Sequence, residues 1–118
     1  MSVQQRLDVT ADLNNNSIVQ LDIGGWDYAV VQLVSPTGTF TFNTTNDAGD
    51  VTGVSDGSAI SATNWIATQG TNLNSGSGVT TLASSGLVRF QSVGQFLQIS
   101  GAGAAQVTKA IVRLYKIC

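Results

Sequence analysis

Apolar and polar residues alternate with period two along most of this chain, and no window longer than a turn or two carries helical spacing. From residue 3 to 13 the alternation sets Leu7, Val9, Ala11 and Leu13 on one face. That predicts a first strand, closed by a turn at Asn14-Asn15-Asn16. A second strand, residues 18–23, sets Val19, Leu21 and Ile23 against Gln20 and Asp22, and Gly24-Gly25 breaks it. Residues 26–34 (WDYAVVQLV) are apolar on both faces, as a central strand of two packed sheets should be. Trp26 and Tyr28 share a face there with Val30, so all three are expected to pack in the core.

Ser35-Pro36-Thr37-Gly38 reads as a turn, with proline fixing φ, and the next strand, 39–44, sends Phe40 and Phe42 to one side. The middle of the chain, about 45–78, is rich in Gly, Ser, Thr, Asn and Asp. It is expected to be a long polar loop, interrupted by one weak strand-like piece at 59–68 that carries Ile60, Trp65 and Ile66. Strand patterns return at 78–83, 86–91, 95–100 and 106–117, with Ser92-Val93-Gly94 and residues 101–105 as turns. About eight strands at this spacing predict a single all-β domain over 1–118. Its expected form is a two-layer antiparallel β-sandwich, either jelly-roll or immunoglobulin-like. Val30, Val31, Leu33, Phe40, Phe42, Phe90, Leu97, Val112 and Leu114 are its expected core.

Composition narrows the function more than the fold. The chain has no His and no Glu, and its single Cys is the last residue, Cys118. Against seven Asp and five Lys or Arg stand 12 Ser, 13 Thr, 8 Asn and 9 Gln. Histidine is the side chain that titrates near neutrality without tuning, so general acid–base or nucleophilic chemistry has little to work with. The chain therefore reads as non-enzymatic. The five cations, Arg6, Arg89, Lys109, Arg113 and Lys116, are dispersed in sequence and the net charge is −2, so no nucleic-acid footprint is expected. No apolar run reaches membrane-spanning length, and the first residues lack the apolar core of an export signal. Synthesis in a cytoplasm is expected, and the sequons at Asn15 and Asn43 are then without meaning. A lone Cys forms no internal disulfide.

The remaining motifs favour turns. The Asp residues of Asn46-Asp47-Ala48-Gly49-Asp50 and Ser55-Asp56-Gly57 are oxygen donors, but their spacing does not match a helix–loop–helix calcium loop and no bidentate Glu is present. No metal or cofactor is expected. Gly101-Ala102-Gly103 precedes a β-branched strand rather than a helix, which removes a phosphate-binding reading. Cys118 has only Lys116 nearby to lower its pKa, and reads as an accident of the terminus or a packing residue rather than a reactive thiol. Trp65 stands in the polar middle segment, where it either anchors that segment to the sandwich or contacts a sugar ring or partner. With Asn64, Asn46, Asp47, Asp50 and Asp56 it makes the candidate partner or glycan contact.

Gly38-Thr39-Phe40-Thr41-Phe42 followed by Thr45-Asn46-Asp47-Ala48-Gly49, then 86–90 (GLVRF), 93–99 (VGQFLQI) and 110–114 (AIVRL), resembles virion structural proteins of tailed bacteriophages. The resemblance covers roughly residues 18–117 and rests on strand and turn signatures, with no catalytic or cofactor residue to carry over. It implies a β-sandwich that decorates or projects from the particle, as a head decoration protein, head fibre or tail appendage. Such a protein resides in the virion and contacts copies of itself and other virion proteins, such as the major capsid protein. An adhesion or carbohydrate-binding module, using Trp65 on surface glycans, is the alternative.

Overall fold

The computed structural model describes residues 2–23, 25–46, 65–91, 96–102 and 105–117. Two antiparallel sheets pack face to face, with one short helix among the described residues. One sheet has six strands in the order β1 (Ser2–Asp8), β11 (Lys109–Ile117), β3 (Tyr28–Val34), β9 (Gly86–Phe90), β6 (Gly70–Asn72) and β7 (Gly78–Val79). The other runs β2 (Ile18–Asp22), β10 (Phe96–Gly101), β4 (Phe40–Thr45) and β5 (Ile66–Ala67), with β8 (Thr81–Leu82) also pairing with β4.

The pairings nest. β1 pairs with β11, β2 with β10, β3 with β9 and β4 with β8, so the first half of the chain lies antiparallel against the second. Consecutive long strands alternate between the two sheets, which rolls that ribbon around the core. This is the jelly-roll member of the two expected sandwich types.

The larger strand count comes from the segment expected to be a polar loop. After β5 the chain crosses to the six-stranded sheet for β6 and β7, then returns for β8. The single strand expected at 78–83 is thus split between sheets. Thr80 marks the crossing, and its carbonyl accepts the Phe42 N–H at 3.0 Å. Gly70 is what lets β6 lie this close. A Cβ there would fall 2.5 Å from Val88 Cγ1 and 2.7 Å from Phe90 Cε1, nearer than packed atoms approach.

Inward residues alternate as strand geometry requires. Ala29, Val31 and Leu33 of β3, Phe40 and Phe42 of β4, Val88 and Phe90 of β9, and Val112 and Leu114 of β11 are all fully buried. Eight of the nine expected core residues are among the buried set. Val30 is not: it faces outward with Tyr28 on the far side of β3, where Tyr28 stacks on Tyr115 with centroids 4.7 Å apart and planes 11° from parallel. The run looked apolar on both faces because its outer face is itself partly apolar. Trp26 packs partly buried against the core from the segment before β3.

The first predicted strand is also corrected. It ends at Asp8, and Thr10–Asn16 form the helix α1, closed by Ser17 in the left-handed region at φ 60°. Val9 and Leu13, read as alternating strand positions, are four apart and bury together as on a helix face. Asp8 turns the chain by accepting the Thr10 N–H (3.1 Å) and hydroxyl (2.6 Å). The Thr10 hydroxyl in turn accepts the Ala110 N–H at 2.8 Å.

The outer face of the five-stranded sheet is polar yet buried at Gln20, Gln98 and Thr45. Gln20 and Gln98 are register partners, and Asn43 Nδ2 donates to Gln98 Oε1 at 2.9 Å. The Asn43 amide of the second sequon therefore serves the sheet.

Candidate functional site

The cations that are scattered in sequence converge on one surface. In β1, β11, β3 and β9 the residues that alternate with the core point out of the six-stranded sheet. The register then aligns Arg6 opposite Arg113, Arg113 opposite Val30, and Val30 opposite Arg89. Lys109 is on the same face, 3.7 Å from Asp8. Four of the chain's five Lys and Arg thus share this face with Asp8. These five residues carry +3, and the remainder of the chain −5.

A groove of about 290 Å³ runs through this face, lined by Val30, Gln32, Leu73, Leu87, Ile111, Arg113 and Tyr115. Val30 and Ile111 are adjacent to Arg113 and Gln32 in the strand register, while Leu73 and Leu87 stand on the β9–β6 side with 45% and 36% of their surface exposed. Leu73 is held there by its N–H, which donates to the Leu87 carbonyl at 2.9 Å. Large exposed aliphatic residues beside an apolar floor mark an interaction surface more than a random scatter would.

Among the described residues the guanidiniums of Arg6, Arg89 and Arg113 have no carboxylate within ion-pair distance. Arg113 Nη1 donates to Gln4 Oε1 at 3.2 Å, and Arg89 Nε is buried with no hydrogen-bond partner among the described residues. The Asp8 carboxyl is held below its ordinary pKa of 3.8, first by the Thr10 hydroxyl and N–H, then by Lys109 and Arg6. Its folded form binds a proton less readily than its unfolded form. The stabilisation is therefore full above the ordinary value and fades as pH falls through and below it. Thermal midpoints of wild type and Asp8→Asn, measured from about pH 6 down to about pH 2.5, should converge as acid is added, because the substitution removes the titrating group. Parallel curves would remove this role.

Two residues of the sequence-predicted site fall among the described ones. Asn46 is exposed just after β4 and Trp65 is half-buried just before β5. Because Thr44 pairs with Ile66, both belong to the same end of the β4–β5 pair. Asn64, Asp47, Asp50 and Asp56 lie outside the described residues, as does Cys118. Among the described residues no three Asp or Cys side chains gather as a metal would require, and no helix is long and apolar enough to cross a membrane.

Sequence pattern misses this sheet face for a physical reason. Each of Arg6, Arg89 and Arg113 adjoins a buried residue in its own strand, which marks it as outward-facing. That their strands are neighbours follows only from the nested pairing.

No protein-family model matches the sequence, and no curated protein matches it. Among solved structures, the chain is similar in fold to the SPBc2 prophage-derived protein YomS. The TM-score is 0.63 at 11% sequence identity, over 98% of this chain and 96% of that one.

Proposed function

We propose that this chain is a non-enzymatic structural component of a phage particle, a jelly-roll subunit that acts through surface contacts. The observation that carries the reading is the outward face of the six-stranded sheet: an apolar groove with exposed Leu73 and Leu87, bordered by arginines that form no close ion pair among the described residues. A face of this kind suits a partner, and the residues beside it offer no nucleophile with a base. Fold alone does not assign function. The reading gains support from the end-to-end likeness to a prophage-derived protein and from the virion-type strand signatures at 38–49, 86–99 and 110–114. The subunit decorates or projects from the head or tail, in contact with copies of itself and with a shell protein such as the major capsid protein.

Particles from an induced lysate, banded on a density gradient, should contain the chain at a fixed copy number by quantitative mass spectrometry. A chain found wholly in the soluble fraction overturns the reading. An adhesive role on glycans draws on Trp65 and Asn46 at one end of the β4–β5 pair. It requires glycan-array binding that Trp65→Ala abolishes.

A further inference from the structure

The outer face of the six-stranded sheet contains a cost that the fold does not explain. Arg6 and Arg113 are directly opposite each other on neighbouring antiparallel strands. Like charges in that position destabilise a sheet. The chain has few charges, 10% of its residues, and any of its many Gln or Thr side chains would avoid the repulsion. Arg89 adds a third guanidinium in the same row, beyond Val30, with its Nε buried and without a partner among the described residues. At a strand spacing of roughly 4.8 Å the three fall within about 14 Å. Arginine is also the cation whose planar fork matches a carboxylate.

We propose that this face docks an acidic polypeptide segment of another protein. One bulky apolar side chain of that segment enters the groove over Val30, Leu87 and Ile111, and flanking carboxylates engage Arg6, Arg89 and Arg113. The inference rests on the contact-surface reading above and gives the partner its chemistry.

Charge complementarity selects this occupant over two others. A second copy docking by the same face would set +3 against +3, because a two-fold contact buries identical surfaces on each other. A nucleic acid would extend its negative charge past the short arginine row, beyond which the described charges sum to −2. The groove is lined mainly by aliphatic side chains, and Tyr115, its one aromatic, already stacks on Tyr28, so no gap is left between the two rings for a base. A short acidic segment meets the cations locally and satisfies the aliphatic groove with its own side chain.

The test is fluorescence anisotropy on the purified full chain with a labelled peptide, Gly-Asp-Asp-Leu-Asp-Asp-Gly. Its Asn-for-Asp counterpart and a 12-nucleotide oligothymidylate serve as competing probes. The acidic peptide should bind at least about tenfold more tightly than the Asn peptide, and more weakly as salt is raised. Arg113→Gln and Arg89→Gln should each reduce that affinity by about three- to tenfold. Arg113→Gln should leave the thermal midpoint unchanged or raised, since it relieves the like-charge pair, which separates lost binding from lost folding. Equal affinity for the Asn peptide overturns the proposal, as does tighter binding of oligothymidylate. Concentration-dependent dimers in sedimentation velocity that Arg113→Gln abolishes overturn it too, by assigning the face to a second copy. None of these results bears on whether the chain travels with particles, so this proposal and the particle reading fail separately.

Discussion

Phe90→Ala should lower the free energy of unfolding by about 3–5 kcal/mol, read from urea denaturation midpoints at unchanged slope. Phe90 belongs to the six-stranded sheet and Phe42 to the five-stranded one. Both are fully buried, with ring centroids 5.0 Å apart and planes at 60°. The edge-to-face pair therefore ties the two layers together across the core. Removing one ring loses its transfer free energy and leaves a cavity, and an aromatic pair adds about 0.5–1.5 kcal/mol beyond burial. Collapse around the cavity is restricted because Gly70 of β6 already lies against Phe90, leaving the neighbouring strand little distance to close. Set against a total stability of about 5–15 kcal/mol for a domain, the loss is a large share. A double-mutant cycle with Phe42→Ala should show a coupling of about 0.5–1.5 kcal/mol. A single-site cost below about 1 kcal/mol would mean that the layers are not joined here.

Both members of that pair are legible in the amino-acid sequence, because Phe40 and Phe42 alternate cleanly and Phe90 ends a strand of the same kind. Period-two patterning works where one face is apolar and the other polar. It misleads at β3, where Val30 and Tyr28 give the outer face an apolar character of its own. It misleads at 9–13, where residues four apart satisfy strand and helix spacing alike, and Asp8 and Thr10 settle the choice by hydrogen bonding. It also resolves 66–82 only coarsely, as a weak piece at 59–68 and one strand at 78–83, and misses β6, since strands of two or three residues are too short to show a period.

The candidate site is less legible than the fold, and the reason is topological. Arg6 and Arg113 are 107 positions apart in sequence and become neighbours only because β1 pairs with β11. Local pattern can say that each points outward; it does not say which strands adjoin. Sparse charge then becomes informative in a way that composition hides. Among the described residues a chain with a net −2 carries +3 on one sheet face and −2 elsewhere, and that polarity constrains which surfaces can meet.

Asn14→Ala should destabilise the fold by about 2–4 kcal/mol, more than a turn asparagine would. The Asn14 amide makes two bonds to one residue: Nδ2 donates to the Val107 carbonyl at 2.9 Å, and Oδ1 accepts the Val107 N–H at 2.8 Å. The side chain thus supplies both contacts that a neighbouring strand would make, and it ties α1 to the segment entering β11. Val107 is buried, so truncation strands a donor and an acceptor with limited access to water. The Asn14→Asp variant distinguishes the bonds from mere bulk. At neutral pH its carboxylate still accepts the Val107 N–H but opposes the Val107 carbonyl, so it should be about as damaging as Ala. Once protonated in acid, its hydroxyl donates to that carbonyl and restores the second bond. Denaturation of Asn14→Asp and Asn14→Ala at about pH 7 and about pH 3 should therefore show the Asp variant gaining on the Ala variant in acid. Identical behaviour of the two at both pH values, or an Ala cost within about 0.5 kcal/mol of zero, would reduce Asn14 to a surface turn residue.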